Sequence, residues 1–355
     1  MRVSLFIIFF MACLSGQAFA QIKVEVIDTT NHGVHDMGYF FTNRPLKKSD
    51  SEEVDFRNRW TRQTGNLRFC LYDYDNDFFH LKYQATKTCH KSVYPTDFVE
   101  DNIFYKVYED LRLERGIHNI VFVIPGYGKT FKKQVNDFMY RMQETYYDSL
   151  RGSTAMILFA WGDQSLAPFY YKGRRSANRA ANDFAIFQQL LESFQNDSAY
   201  FADKPNDVSF TLVCSSMGNQ LLKRYLLKRE KQGIELVKSY KRVVMVGSDA
   251  GCDSFEDGKG FHSITAMTDY VLILVNRTDG PLGISKYMNM KNRLGAAGPT
   301  NWEELSDSIH IMDVTNLIDW QDVSTMGHDY LLRNPKIRAR LIYEKSRLEQ
   351  EDKQE

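Results

Sequence analysis

The sequence predicts an α/β fold with a mostly parallel sheet and helices on both faces, and three observations support this. From residue 120 onward, short apolar runs rich in β-branched residues alternate with longer helix-like segments, which is typical of parallel strands joined by crossover helices. The 355 residues are 43% apolar and 25% charged, a globular composition. Basic and acidic residues balance at 45 each, so no net field favours nucleic acid as a partner.

The N-terminus predicts a cleaved secretory signal at residues 1–20. Arg2 precedes an apolar run from Leu5 to Leu14, and the small residues Ala18 and Ala20 then form a typical cleavage site. An uncleaved anchor is the alternative, although the run is short for a bilayer span. No later segment reaches the length of a membrane span, so we expect an exported protein that is periplasmic or secreted.

Residues 21–116 are predicted to form a β-rich elaboration of the main domain. Short β-like runs there are separated by polar stretches. These runs are Met37–Phe41, Leu67–Tyr72 and Phe79–Tyr83. Residues 117–343 are predicted to form the core of the domain, and the polar tail 344–355 is expected to continue a solvated terminal helix.

Within the core, buried strands and helices alternate along the chain. The predicted strands are Ile120–Ile124, Ala155–Phe159, Phe210–Cys214, Arg242–Val246, Tyr270–Val275 and Ile309–Met312. The predicted helices are Phe131–Leu150, Arg174–Phe194, Met217–Lys231 and a short one near Pro281–Asn292. In open α/β sheets, reactive groups gather at the carboxyl ends of the strands, so the residues that follow each strand are the candidates for function.

A serine in a sharp turn follows the third core strand. The segment reads Cys-Ser-Ser-Met-Gly-Asn from Cys214, and Ser216 occupies the position of a nucleophile elbow between a strand and a helix. Such an elbow requires small residues two positions before and after the nucleophile; Gly218 meets this requirement, and Cys214 replaces the usual glycine. An N-capping serine in an ordinary turn is the alternative, and the strand order favours the nucleophile.

A nucleophilic serine requires a base and an orienting carboxylate, which follow it in the order serine, acid, histidine. His328 lies in a loop after the last predicted strand, whereas His310 lies within that strand and is expected to be structural. Two aspartates compete for the acid, because Asp249 and Asp279 follow successive strands after the serine. We favour Asp279, since the acid of such folds usually follows the second strand, and Asp249 remains the alternative.

Two backbone N–H groups are candidates for an oxyanion hole. Met217 follows the serine at the start of a helix, where the helix dipole favours negative charge. The loop after the first core strand reads Ile-Pro-Gly-Tyr-Gly, and its glycines allow an N–H to turn toward the serine. We favour Tyr127 as the second donor, with Gly126 as the alternative.

Motifs from one end of the core to the other resemble a known group of proteins. They are Tyr39–Arg44, Pro125–Tyr127, Phe159–Trp161, Ser215–Asn219, Asp279 with Leu282 and Ser285, Arg293–Gly295, and Gly327–His328 with Tyr330. Together they resemble an alpha/beta-hydrolase family of unknown function, the bacterial predicted esterases and lipases. The resemblance spans residues 39–332 and implies the alpha/beta-hydrolase fold and a serine hydrolase whose triad is Ser216, Asp279 and His328.

The sequence departs from this family at two positions. Pro125 and Ser215 stand where the family has histidine, and both flank the predicted oxyanion site. The predicted function is an exported serine esterase that acts on a small-molecule acyl ester. Because a fold does not guarantee an activity, the alternative is a catalytically weak or inactive hydrolase-fold binding protein.

Two other chemistries are not favoured. Gly126–Thr130 resembles the end of a phosphate-binding loop, but Val123 stands where that loop needs its first glycine, and Lys129 is then expected to be solvated. No cysteine or histidine pair has zinc spacing, so neither a metal nor a cofactor is predicted. Cys214 and Cys252 follow neighbouring strands, and either a disulfide or two buried thiols fits that placement.

Overall fold

The structure is a computed structural model that describes residues 21–26, 37–46, 56, 66–73, 78–88, 102–135, 137, 153–162, 170–319 and 325–341. The predicted signal segment 1–20 and the tail 344–355 lie outside these residues, as does Cys89.

The strands of the described part form one ten-stranded sheet. They are β1 (Gln21–Val26), β2 (Met37–Thr42), β3 (Asn66–Asp73), β4 (Phe78–Thr88), β5 (Asn119–Ile124), β6 (Thr154–Ala160), β7 (Ser209–Ser215), β8 (Tyr240–Val246), β9 (Thr268–Val275) and β10 (Ile309–Asp313). Their order is β1-β4-β3-β2-β6-β5-β7-β8-β9-β10. Within this order, neighbouring strands from β2 to β10 are all paired in parallel. On the other side of β2, the strands β3, β4 and β1 are added through antiparallel pairings.

The predicted fold class and core strands are confirmed. Each of the six predicted core strands is present and extends one or two residues further at one or both ends. Five of them, β5 to β9, are easy to recognise because both of their faces are largely buried, so they appear as nearly continuous apolar runs, whereas β10 is a partly exposed edge strand. β1 was not predicted as a strand, although it begins at the predicted cleavage point.

The described helices connect the strands and flank the sheet. They are α1 (Ile103–Tyr108), which continues as a π-helix (Glu109–Glu114), α2 (Phe131–Val135), α3 (Tyr170–Gln195), α4 (Gly218–Lys231), α5 (Gly280–Asn289), α6 (Leu294–Ala297), α7 (Tyr330–Arg333) and a helical stretch 335–341. Short 3-10 turns occur at Cys252–Phe255, Ile264–Ala266, Trp302–Glu304 and Thr315–Leu317. The predicted helix from Phe131 is described as far as Val135, with Asp137 beyond it.

Helix α1 was missed because it lacks a polar face. Five of its six residues are buried, so no 3.6-residue alternation marks it in the sequence. Its start is fixed by Asn102, whose side-chain oxygen accepts a hydrogen bond from the N–H of Phe104 at 3.0 Å. The sequence had placed this segment in a β-rich region.

Two apolar cores lie on opposite faces of the sheet. Along β5, Ile120 and Phe122 belong to one core and Val121 and Val123 to the other, as the two-residue period of a strand requires. The first core also contains apolar residues of α1, α3 and α4, and the second contains those of α2 and α7. Helices therefore cover both faces, as predicted.

The end of β2 is tied to the loop after β6 by buried hydrogen bonds. The hydroxyl of Thr42 donates to the carbonyl of Ala160 at 2.6 Å. The side chain of Asn43 donates to Asp183 of α3 at 2.7 Å and accepts from the N–H of Gly162 at 2.8 Å. The N-terminal strands thus share the sheet and its polar contacts with the rest of the core.

Candidate active site

Ser216 lies in a strained turn between β7 and α4. Its φ of +50° is in the left-handed region, which costs a non-glycine residue of the order of 1–3 kcal/mol and is typical of functional positions. Its N–H donates to the carbonyl of Val246 at 2.8 Å, which holds the turn against β8. Gly218 is required here, because an added Cβ would lie 2.5 Å from the carbonyl oxygen of Ile124.

The structure brings together the three residues of the predicted triad. The Nε2 atom of His328 lies 2.8 Å from the Oγ of Ser216. On the other side of the ring, Nδ1 lies 2.7 Å from the Oδ2 of Asp279. Two hydrogen bonds therefore run from the hydroxyl through the imidazole to a carboxylate, although these residues lie 112 and 49 positions apart in sequence.

Asp279 has two roles, one for each carboxylate oxygen. Oδ2 contacts His328, while Oδ1 accepts the N–H of Leu282 at 2.9 Å and caps helix α5. The side chain is completely buried, whereas that of His328 is 15% exposed. One side chain thus both caps a helix and contacts the catalytic histidine.

The surroundings of His328 favour its charged form. Burial disfavours the imidazolium, but the charge of Asp279 and its hydrogen bond outweigh this cost and raise the pKa of His328 above its ordinary value. Asp329 adds to the same direction through its charge. A proton that moves from Ser216 to this ring is therefore stabilised.

Met217 occupies the N-cap position of α4. Its side chain is buried, and its backbone N–H donates to no other described residue. An N–H at a helix start next to the serine is available for an incoming negative charge.

The loop after β5 approaches Ser216 closely. An added Cβ at Gly126 would lie 2.8 Å from the Cβ of Ser216, so only glycine fits there. The indole of Trp161 donates to the carbonyl of Pro125 at 2.8 Å and fixes the peptide before this glycine. Tyr127 follows and lines the same pocket as the serine.

Asp249, the alternative acid, lies in a different network. Its side chain forms hydrogen bonds with the hydroxyl of Tyr170, at 2.8 Å, and with that of Ser285. Asp279, and not Asp249, contacts His328 in the structure. Asp249 nevertheless remains close to the triad, since its N–H donates to the carbonyl of Ser216 at 3.2 Å.

A pocket of about 500 Å³ opens onto Ser216 and His328. One wall is formed by α5 and is largely apolar, with Pro281, Leu282, Ile284 and Met288. The polar members of the lining on the other sides include Tyr170, Asp249 and Lys129. A pocket of this size and character suits a small organic ligand with both apolar and polar parts.

The family described as alpha/beta hydrolase of unknown function (DUF900) matches residues 101–345. The chain belongs to this alpha/beta-hydrolase family. The predicted resemblance is therefore confirmed. No curated protein matches the sequence.

Solved structures show distant likeness to this alpha/beta hydrolase. A gene lin2722 product from Listeria innocua is 13% identical with a TM-score of 0.32, and the match covers 64% of this chain and 93% of that one. MenH from S. aureus is 10% identical with a TM-score of 0.31, covering 66% and 95%. An acetyl xylan esterase from Paenibacillus sp. R4 is 10% identical with a TM-score of 0.31, covering 87% and 86%.

Lys129 of this hydrolase is not the solvated residue that the sequence predicted. Its Nζ lies 2.9 Å from a carboxylate oxygen of Asp137 and 3.2 Å from one of Asp329, and only 11% of its side chain is exposed. Burial raises the pKa of Asp329, but Lys129 and then His328 outweigh it, and the net pKa is lowered. An ion pair thus joins the loop beside the serine to the residue after His328.

Other sequence expectations are resolved by the same structure. Cys214 and Cys252 are both free, so a disulfide between them is excluded, and Cys70 is a buried free thiol. His310 lies in β10 and stacks on Tyr270 with ring centroids 4.2 Å apart. Among the helices that the structure describes, none is long and apolar enough to cross a membrane.

The sequence missed the partners of Asp249 and Lys129. Trp161 is completely buried, whereas Tyr170 lines the pocket and reaches Asp249. The sequence did contain one indication that Asp249 belongs to the pocket. Asp249 and Tyr127 both follow strands whose carboxyl ends meet at the same edge of the sheet.

Proposed function

We propose that this alpha/beta hydrolase is an exported serine esterase, similar to carboxylesterases or lipases, that cleaves an acyl ester. The observation that carries the proposal is the unbroken hydrogen-bonded path from the Oγ of Ser216 through His328 to Asp279, at the floor of an open pocket. Packing alone does not require a serine, a histidine and an aspartate from three separate loops to align in this order.

In the proposed first step, Ser216 attacks the acyl carbonyl carbon. His328 accepts the hydroxyl proton at Nε2 as the Oγ–C bond forms. Asp279 holds the Nδ1–H and stabilises the imidazolium, which the raised pKa of His328 favours. The neutral imidazole is the base, so this step requires His328 to begin unprotonated.

The tetrahedral intermediate carries a negative oxygen that requires N–H donors. We assign this role to the backbone N–H groups of Met217 and Tyr127, with Gly126 as the alternative to Tyr127. The free N–H of Met217 and the close approach of Gly126 to Ser216 support the assignment. Removal of one such donor typically costs about 10²–10³-fold in rate.

The intermediate collapses when His328 returns its proton to the departing alcohol. An ester between the acyl group and Ser216 remains, and the alcohol leaves. Water then attacks this acyl-enzyme with His328 again as the base, and the acid product departs while Ser216 recovers its proton. None of these steps requires a group beyond the chain and water.

The pocket supports an ester with an apolar portion. Leu282, Ile284 and Met288 on α5 face the space beside the serine, and Met217 and Met326 also line it. Such side chains bind alkyl groups through burial of apolar surface.

Reaction with a fluorophosphonate probe tests the activation of Ser216 without knowledge of the substrate. We expect the exported protein to label, the Ser216→Ala and His328→Ala variants not to label, and the matched control Ser215→Ala to label. Thermal unfolding of each protein verifies the fold. If the folded wild type does not label, the alternative of a hydrolase-fold binding protein with little activity replaces the esterase.

Export rests on the N-terminal segment 1–20, which predicts a cleaved signal. N-terminal sequencing of the protein recovered outside the cytoplasm tests it. We expect the mature chain to begin at Gln21. Recovery of the intact N-terminus in the membrane fraction would support the uncleaved anchor instead.

A further inference from the structure

A group of polar side chains borders the pocket and is not used by the proposed mechanism. It consists of Tyr170, Asp249, Ser285 and Asn289, here called the Asp249 cluster. Asp249 and Ser285 are almost completely buried, and three of the four residues line the pocket. The cluster joins three separate parts of the chain, α3, the turn after β8, and α5.

Three oxygen-to-oxygen contacts close a ring within the cluster. The Oη of Tyr170 lies 2.8 Å from the Oδ2 of Asp249 and 3.0 Å from the Oγ of Ser285. The Oγ of Ser285 in turn contacts the Oδ1 of Asp249. Asn289 completes the cluster, since its Nδ2 donates to Tyr170 at 2.9 Å and to the carbonyl of Ser285 at 2.8 Å.

A neutral Asp249 would account for all three contacts of the ring. If each contact is a hydrogen bond, three hydrogens are needed, and the two hydroxyls provide only two; a neutral carboxyl would provide the third. Burial raises the pKa of Asp249, and the hydrogen bonds from Ser285 and Tyr170 reduce this effect only in part. Within the described residues, no lysine, arginine or histidine forms an ion pair with this carboxyl.

The completed ring retains lone pairs that can accept further hydrogen bonds, but it has no hydrogen left to donate. Every hydroxyl and carboxyl hydrogen lies within the ring, and both amide hydrogens of Asn289 are directed to Tyr170 and Ser285. A carboxyl oxygen that accepts one hydrogen bond retains a second lone pair. A ligand group at this place must therefore donate a hydrogen bond.

The charge of that group is limited by the surroundings. Arg293 donates to the carbonyl of Asp249 at 3.1 Å, and Arg174 contacts Asn289, so two guanidinium groups disfavour a cation. An anion has no donor to receive it in the ring. A neutral donor, the alcohol hydroxyl, meets both conditions.

We propose that Tyr170, Asp249 and Ser285 form a subsite of the pocket that binds a hydroxyl group on the substrate. The preferred substrate class is then a hydroxylated ester, with the hydroxyl on the acyl or the alcohol part. This inference rests on the proposed esterase function and specifies the substrate class of the same pocket. Its test is a binding measurement, which does not depend on turnover.

The test compares matched esters in the Ser216→Ala protein, which cannot form an acyl-enzyme. Ethyl hexanoate is the plain ester, and ethyl 3-hydroxyhexanoate and 2-hydroxyethyl hexanoate carry a hydroxyl on the acyl and the alcohol side. Dissociation constants are measured by titration. We expect one hydroxylated ester to bind about tenfold more tightly than ethyl hexanoate, the effect of one well-placed hydrogen bond.

The second half of the test removes the cluster in the same Ser216→Ala background. We expect Ser285→Ala, Tyr170→Phe and Asp249→Leu to reduce the hydroxyl preference toward one. The matched control is Tyr200→Phe, which removes a tyrosine hydroxyl that contacts Glu109, a residue of the π-helix outside the pocket lining. Thermal unfolding identifies any variant that fails to fold, and Ser285→Ala is the mildest change.

Two results overturn the subsite. Either neither hydroxylated ester binds more tightly than ethyl hexanoate, or the preference persists in all three folded cluster variants. Fluorophosphonate labelling of the wild type separates this from a failure of the esterase. A protein that labels without the preference has the activity but not the subsite, and one that binds with the preference but does not label has the subsite without the activity.

Discussion

Two buried aspartates follow neighbouring strands at the same edge of the sheet, yet their surroundings differ. Asp279 is 3% exposed and faces an imidazole, whereas Asp249 is 2% exposed and faces two hydroxyls. The imidazole of His328 can become a cation and balance the charge of a carboxylate, whereas the hydroxyls beside Asp249 remain neutral. Burial is therefore equal at the two sites, and the partner determines whether the carboxyl orients a base or binds within a neutral ring.

The largest effect expected from this comparison concerns Asp279→Asn. The amide no longer holds His328 in the required tautomer, so we expect the rate of fluorophosphonate labelling at neutral pH to fall by about 10³–10⁴-fold. Asp249→Asn should lower the same rate by less than about tenfold. Equal losses in the two variants would show that the aspartates act as one unit.

The stability of the Asp249 cluster gives the next largest effect. Asp249→Leu removes both hydrogen bonds of the carboxyl and leaves one of the hydroxyls of Tyr170 and Ser285 without an acceptor, so we expect a loss of about 2–3 kcal/mol in the free energy of unfolding. Asp249→Asn should cost less, since an amide retains one acceptor and adds a donor. Urea denaturation measures both, with Asp257→Ala as control because that side chain is 94% exposed. A Leu variant as stable as wild type would contradict the ring.

The variant Trp161→Phe tests whether the loop after β5 acts independently of the Asp249 cluster. The change removes the indole N–H that holds the carbonyl of Pro125, and the loop that carries Tyr127 loses an anchor. We expect the labelling rate to fall about tenfold, which is less than the 10²–10³-fold loss typical of removing an oxyanion donor, because the donor is displaced and not removed. The hydroxyl preference measured in the Ser216→Ala background should not change. A loss of that preference would show that the oxyanion loop and the Asp249 cluster are coupled.

The smallest effect is a shift in pH dependence. Because the pKa of His328 is raised, labelling should decline with acid already above the ordinary histidine pKa. Asp329→Asn removes a nearby negative charge, so its acid limb should move to lower pH. An ionised Asp249 would also raise this pKa and a neutral one would not, so an unmoved limb in Asp249→Asn supports the protonated carboxyl.

The same raised pKa affects stability in the opposite direction from activity. Protonated His328 stabilises the folded state through Asp279, and this contribution is complete below the pKa of the unfolded histidine. It is lost as the pH rises through the raised pKa of the folded state. Unfolding free energies of wild type and His328→Gln at several pH values should therefore differ most in acid. A difference that grows with pH would contradict the pair.

The parallel strands and the triad were predictable for related reasons. Strands buried on both faces appear as apolar runs, and the residues after them must meet at one edge of the sheet. Ser216 and Asp279 follow such strands and His328 follows the edge strand β10, so their proximity was expected from topology alone. The choice between Asp279 and Asp249 needed side-chain geometry, because both positions satisfy the topological rule.

The Asp249 cluster and the ion pair of Lys129 were not predictable in this way. Tyr170 lies in α3 and Ser285 in α5. The sequence does not show how each helix is rotated about its axis, so it does not show which of their side chains face the pocket. Lys129 and Asp329 are separated by 200 positions in the sequence. The residues next to a lysine at a helix start do not show whether its side chain is exposed or buried. Contacts that depend on how a helix is rotated therefore emerge only from the folded structure.

Helix α5 begins at the carboxylate that orients His328, and this has a consequence for how the pocket can diversify. Asp279 fixes the first turn of the helix, while its last turn ends at Met290, which is left-handed and 92% exposed. The wall of the pocket is thus attached to the catalytic carboxylate at one end and, through Asn289, to Tyr170 and Arg174 at the other. Exchanges of Ile284, which lines the pocket between these attachments and is 55% exposed, can reshape the recognition of a ligand while proton transfer stays intact, so engineering of selectivity should begin there.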